Sequence, residues 1–246
     1  MPDLLRLAIN GANGRMGREL QDLLHGDTRF ELVAAIGASS EWRHVSKLDV
    51  VIDFSSPTGL DGALAYCVAH RIALVSGTTG LEDAQRNAFS DAARTIPVLH
   101  AANFSLGIAV LTRVLREAAA TLPDWDLEIV EAHHARKVDA PSGTALGLGR
   151  AAAAARNVRF DDIAVLSREG QVGARREGAI GFASIRAGDI VGEHTAMLAT
   201  SGERLELSHR ANDRAIFARG ALTAAAWLAG KPAGAYSLDD VIGATR

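Results

Sequence analysis

Residues 131–145, EAHHARKVDAPSGTA, crowd two histidines, an arginine, a lysine and an aspartate ahead of Pro-Ser-Gly-Thr, where the pattern passes from strand to helix. Histidine can hand over a proton near neutral pH, and lysine keeps its positive charge there. Pro141 suits the first position of a helix, because it has no N–H to leave unbonded. Ser142, Gly143 and Thr144 would then offer backbone amides and two hydroxyls, a cradle for a carboxylate-sized anion, with the charge of Lys137 nearby. His133 and His134 are neighbours on an extended run, so they point to opposite faces and only one can serve as an acid. The pair matches no common metal-ligand spacing, and no metal is expected. An acid beside a cation and an anion cradle suits reduction of a carboxylated substrate.

A reduction needs a hydride donor, and INGANGRMGREL supplies a place for one. Gly11, Gly14 and Gly17 follow a predicted strand and open a predicted helix, the context of a dinucleotide fingerprint. Glycine permits a tight turn and close approach of amides to a pyrophosphate, and the helix N-terminus adds partial positive charge. The spacing is G-x-x-G-x-x-G, with Asn13 where a middle glycine usually sits, and Arg15 is open to two readings, a contact to phosphates or a solvated surface charge. VSGTTG offers Gly77, Thr78 and Thr79 as backbone and hydroxyl donors at the carboxyl edge of the same sheet, and AANFS, residues 101–105, does so after the fifth strand. The acidic residue that usually takes the adenosine ribose is missing from Gly37-Ala38-Ser39-Ser40. Ser39, Ser40 and Arg43 could hold a 2′-phosphate and Glu41 a ribose hydroxyl, so NADH and NADPH both stay open.

These residues need a frame. LLRLAIN, ELVAAIG, DVVIDF, IALVSG and PVLHAA read as strands, with helices at about 14–25, 59–70 and 81–94 between them. Alternating strand and helix, apolar on both strand faces, predicts a parallel sheet covered on each side. After Phe104 a helix near 105–121 leads to LEIVEAHH, a helix from Pro141 to about Arg156, and the strand-like runs IAVLSRE, AIGFASIRAG, EHTAMLAT and RLELSHRA. That part reads as a second α+β domain on a mixed sheet. The tail NDRAIFARGALTAAAWLAG, capped by Asn212 or Asp213, predicts a helix packed back on the first domain. The division expected is α/β: 1–103 plus 213–246 for a Rossmann-like dinucleotide-binding domain, and 104–212 for a substrate domain.

The chain has 246 residues, 48% hydrophobic, with a formal charge of −3, which speaks against a nucleic-acid or anionic-membrane binder. Its only cysteine, Cys67, lies in an apolar helical pattern and reads as a buried, inert thiol. With no apolar leader and no long apolar run, a soluble cytoplasmic protein is expected.

Taken together, GANGRMG, GTTG, AANFS, EAHHARKVDAPSGTA, AIGFASIRAGDIVGEHTAML and SHRANDRAIFARGAL resemble the 4-hydroxy-tetrahydrodipicolinate reductase (dihydrodipicolinate reductase) family over nearly the whole chain. The resemblance implies reduction of a cyclic dicarboxylate by NADH or NADPH in diaminopimelate and lysine biosynthesis, and a homotetramer built on the mixed sheet. It implies that His133 is the proton donor assisted by Lys137, and that His134, Lys137, Ser142, Gly143 and Thr144 bind substrate. It assigns the coenzyme to Gly11, Ala12, Asn13, Gly14, Arg15, Met16, Gly17, Gly77, Thr78, Thr79, Ala101, Asn103 and Phe104; Ser39 and Phe54 complete the expected coenzyme set on the reading of the residues, and the family's ribose recognition does not carry over. Two departures stand out: the stretch between Gly37 and Asp49 is short and lacks the family's acidic or acidic-basic pair, and Ser56 stands where some members have a basic residue. Other readings are a two-domain dehydrogenase of amino-acid-like substrates, of the aspartate dehydrogenase type, and a non-catalytic NAD(P) sensor, for which the paired histidines would have no use.

Overall fold

The computed structural model describes residues 4–243 except 39, 41, 43, 44 and 46. The first hundred residues run β1 (Leu5–Asn10), α1 (Arg15–Leu24), β2 (Phe30–Ile36), β3 (Val50–Asp53), α2 (Pro57–His70), β4 (Ala73–Ser76), α3 (Asp83–Ala92) and β5 (Pro97–His100). The middle holds α4 (Leu106–Thr121), β6 (Asp126–His133), α5 (Gly143–Ala155), α6 (Phe160–Ile163), β7 (Ala164–Val165), β8 (Ile180–Arg186), β9 (Gly192–Thr200) and β10 (Glu203–Ala211). The tail returns with α7 (Ala215–Leu228), β11 (Gly234–Tyr236) and α8 (Leu238–Gly243). Two compact units result: Met1–Leu106 with Ala215–Arg246, and Gly107–Arg214.

The first unit is a six-stranded parallel sheet in the order β11-β5-β4-β3-β1-β2. Its central strands β3 and β4 are buried at every position, as a sheet covered on both faces requires. Ala8, Val51, Leu74 and Val98 pack with Leu60, Leu64 and Cys67 of α2 and Phe89 of α3. By alternation Leu7, Ile9, Ile52 and Val75 point the other way. That face carries α1 and the alanine-rich α7, which packs on β3, β4 and β5. The order reverses between β1 and β3, the position where open α/β sheets bind ligands. Cys67 is buried, and burial pushes its thiol above the ordinary range, so it is inert as expected.

The second unit is a mixed five-stranded sheet, β10-β9-β6-β8-β7, with β6 parallel to β8 and antiparallel to β9. Ile108, Leu111, Leu115 and Ala119 of α4 recur at helical spacing and meet Ala145, Leu148 and Ala152 of α5 over Leu127, Ile129, Ile180, Phe182, Ala196 and Leu198 of the sheet.

The fold class is the one expected, with local corrections. Helix α5 begins at Gly143, and Ser142 is its cap, its side chain accepting from the Ala145 amide. Pro141 therefore precedes the cap and is not the first helical residue. Helix α7 begins at Ala215, later than Asn212 or Asp213 foretold. Only Ala164–Val165 of the IAVLSRE run form a strand. The tail adds a strand, β11, paired in parallel with β5. No helix among the described residues is long and apolar enough to cross a membrane.

Candidate active site

In the first unit a cleft of about 460 Å³ opens at the reversal point, lined by Asn10, Gly11, Asn13, Gly14, Phe54 and Ser55 among others. Gly11 is held at φ +81, and a Cβ there would lie 2.3 Å from the Phe54 carbonyl oxygen, so no other residue fits this turn without strain. Gly17 lets α1 close on the loop, because a Cβ there would lie 2.3 Å from the Gly11 carbonyl oxygen. The amides of Gly11 and Ala12 bond to the Ile36 carbonyl and fix the loop to β2. The N-terminal end of α1, entered at Asn13, Gly14, Arg15 and Met16, has no acidic residue in its first turn to offset its partial positive charge. The cradle therefore fits a dinucleotide pyrophosphate, and a bound NADH or NADPH would sit on these residues.

Buried Asp53, at the carboxyl end of β3, ties the neighbouring loops together. Its carboxylate accepts from Asn10 Nδ2 (2.8 Å), Ser55 Oγ (2.5 Å), Ser76 Oγ (2.7 Å) and Thr78 Oγ1 (2.7 Å). Thr78 Oγ1 also accepts from the Ser55 amide, and Thr78 is buried. Its hydroxyl is thus spent inside the protein, which corrects the expectation of a hydroxyl donor there. The Phe54 ring stands edge-on to Phe104 at 5.5 Å, and Phe104 is 1% exposed, so its ring packs in the core. Asn103 accepts from the Ser105 amide, and Ser56 caps α2. Gly77, Thr79 and Ala101 lie in the segments after β4 and β5, at the same sheet edge as the glycine loop. Ser39, like Glu41 and Arg43, lies outside the described residues.

In the second unit strand register builds the other constellation. Alternation puts Leu127, Ile129, Glu131 and His133 of β6 on one face. Their partners are Ile180, Phe182, Ser184 and Arg186 on β8, and Leu198, Ala196 and His194 on β9 for the first three. One face of this sheet thus passes from two apolar layers to a polar one at the carboxyl end of β6. Glu131 is its centre. Its Oε2 lies 2.6 Å from His133 Nδ1, and its two oxygens accept from the Arg186 guanidinium at 2.7 and 2.8 Å. Oε1 also accepts from the Ser142 amide at 3.2 Å. Burial works to raise this carboxyl, but hydrogen bonds from Arg186, His133 and Ser184, with the Arg186 charge, bring it down to about 2. Ser142 Oγ is hydrogen-bonded to His194 Nε2 at 3.1 Å. Burial, then the nearby His133 charge, pushes His194 down to about 4, so its ring is neutral at physiological pH.

The site residues named from the motif fall as follows. His133 ends β6, edge-on to His194 with ring centres 5.1 Å apart. His134 lies beyond the strand in a turn closed by the Lys137 amide on its carbonyl, and its Nδ1 is buried without a hydrogen-bond partner among the described residues. Burial and then the charges of Arg214, Arg136, His133 and Lys137 lower its proton affinity. That orphaned nitrogen among cations fits an anionic ligand. Lys137 Nζ pairs with Asp139 at 2.7 Å. The Ser142 amide, expected to be open, is taken by Glu131. At Gly143 nothing lies within 4 Å of a Cβ position, so the mouth of α5 is clear there, and its first turn, which includes Thr144, carries no acidic residue. Sequence reasoning assigned no role to Glu131, Arg186 or His194. The first stood inside the motif, two residues before His133, and that spacing was its signal.

Residues 5–104 match the family model described as dihydrodipicolinate reductase, N-terminus, and residues 107–242 the one described as its C-terminus. Among solved structures, the dipicolinate-bound dihydrodipicolinate reductase from Paenisporosarcina sp. TG-14 is similar with a TM-score of 0.79 at 22% identity, covering 97% of this chain and 99% of that one. The amine dehydrogenase from Mycobacterium smegmatis has a TM-score of 0.56 at 11% identity, covering 97% and 96%. The DAP dehydrogenase of C. glutamicum, in complex with DAP, has 0.53 at 15%, covering 96% and 93%. At these identities the structural likenesses bear on the fold alone, whereas the two family models between them match most of the chain. The chain belongs to the dihydrodipicolinate reductase family.

Proposed function

We propose that His133 gives up the proton that completes reduction of a cyclic dicarboxylate held by Lys137, His134 and the N-terminal end of α5. Family membership makes the chain an NAD(P)H-dependent reductase of diaminopimelate and lysine biosynthesis, and the substrate read for it is 4-hydroxy-tetrahydrodipicolinate. One observation supports the assignment of roles above the others. A single carboxylate, Glu131, binds His133 Nδ1 through one oxygen and the Ser142 amide through the other, so acid and anion cradle share one anchor.

Bound NADH or NADPH supplies the hydride. The residues of this chain do the rest. The amides of Gly143 and Thr144 and the Lys137 ammonium hold the substrate carboxylate and orient the ring. The 4-hydroxyl leaves as water to give a conjugated ring, and hydride added at the carbon that bore it leaves the neighbouring carbon electron-rich and enamine-like. His133 breaks its N–H bond to form the new C–H bond, and the ring is left neutral. That a relative binds dipicolinate, itself a planar dicarboxylate, agrees with a substrate of this class. We also read the assembly as a homotetramer in a cytoplasmic setting, with contacts on the outward face of the five-stranded sheet, where Ile185 is 49% exposed. Sedimentation equilibrium tests the assembly.

The activity is tested by following nicotinamide absorbance with enzymatically generated 4-hydroxy-tetrahydrodipicolinate, using NADH and NADPH in turn, and with oxaloacetate plus ammonia as the competing substrate pair. Turnover of the first substrate alone is expected. Turnover of the second alone would transfer the chain to the amino-acid dehydrogenase reading, and no turnover of either would favour the sensor.

A further inference from the structure

We propose that Glu131 is a positioning residue for this proton transfer: its carboxylate fixes the His133 ring through Nδ1 and so makes Nε2 the nitrogen that delivers the proton. The inference rests on the reading of His133 as donor and adds the group that gives that histidine a direction.

An ionised carboxylate accepts hydrogen bonds and donates none. At 2.6 Å from Glu131 Oε2, Nδ1 must therefore carry a hydrogen in both charge states of the ring. The proton that can leave is then the one on Nε2. When the Nε2–H bond breaks and its proton joins the substrate carbon, the imidazolium becomes the neutral Nδ1–H tautomer, and Nε2 takes its next proton from solvent. The carboxylate itself is held from every side. Arg186 grips both its oxygens and also donates to the Asp139 carbonyl, joining the clamp to the loop that carries Lys137. Space at Nε2 is set by Gly192, where a Cβ would lie 3.0 Å from that atom. The ionisable groups around the ring are Glu131 on its own strand, Arg186 on β8, His194 on β9 with His209 paired to it on β10, and His134, Lys137 and Asp139 in the following loop.

Two measurements test the inference. In the unsubstituted protein, long-range proton–nitrogen NMR of the histidine rings, assigned with His133→Gln, should show the neutral His133 ring protonated on Nδ1. A neutral ring protonated on Nε2 would overturn it. In Glu131→Gln, with the fold checked by circular dichroism, kcat should fall about 10²-fold while substrate KM stays within about threefold. Glu131→Asp keeps a carboxylate acceptor and should recover part of the lost kcat. Should Glu131→Gln fail to fold, the NMR result on the unsubstituted protein decides. Unchanged kcat in Glu131→Gln, with His133→Gln inactive, would sink this inference alone; full activity in His133→Gln would sink the donor reading and this inference together.

Discussion

His133 Nδ1 lies 2.6 Å from Glu131 Oε2, across a two-residue step on one face of β6. The step is the period of a β-strand, so the contact needs no loop to build it. Positioned on a strand and braced from β8 and β9, the pair is set more rigidly than a loop-borne acid would be.

Stability should fall on acidification in two stages. His194 drops from its ordinary 6.5 to about 4 in the folded protein, so as pH falls through that window the unfolded chain takes the proton and the fold loses on the order of 3 kcal/mol. Glu131 drops from 4.5 to about 2, and its contribution, complete above pH 4.5, is lost as pH falls toward 2. Urea titrations from pH 7 to 4 should show the first stage in the unsubstituted protein and a flatter profile in His194→Gln. Equal slopes in both would refute the assignment.

Lys137→Met should raise substrate KM about ten- to a hundredfold, the worth of one charge-assisted hydrogen bond, with coenzyme KM little changed. Asp139 is the only acidic partner described for Lys137, an exposed residue that a substrate carboxylate can replace. Steady-state kinetics with each substrate varied in turn would check the split.

Gly11→Ala should cost coenzyme binding first. The methyl would meet the Phe54 carbonyl at 2.3 Å, at a φ that L-residues rarely adopt, and the turn must shift to relieve it. Titration of NADPH by fluorescence should show affinity lost by at least about tenfold, beyond what one added methyl costs elsewhere. Wild-type affinity in the variant would contradict the cradle.

Ser142→Ala should lower the unfolding free energy by about 2 kcal/mol, since its hydroxyl both accepts from the Ala145 amide as the cap of α5 and pairs with buried His194 Nε2. Chemical denaturation at pH 7 measures it; no change would mean that the cap does not hold α5.

Where the fold and the candidate site depend on neighbours in sequence they are legible: the glycine loop, the motif at 131–145 and the alternation of the first unit all announce themselves within a few residues. The helix start was misjudged because two local signals compete. Proline at the first helical position and serine as a cap both fit PSGT, and the structure chose the cap. Glu131 was visible but unassigned, because its meaning comes from strands elsewhere. Arg186 and His194 stand 55 and 63 positions further on, and only the pairing of β6 with β8 and β9 brings them alongside. Strand β11, three residues long, is too short to carry a period. Thr78 reads as a surface hydroxyl in GTTG, and only the fold shows Asp53 beneath it.

The most direct test of the account is the kcat of His133→Gln with 4-hydroxy-tetrahydrodipicolinate under saturating coenzyme. A fall of about 10²- to 10⁴-fold with substrate KM nearly unchanged is predicted for loss of the proton donor. A kcat equal to that of the unsubstituted enzyme would contradict it.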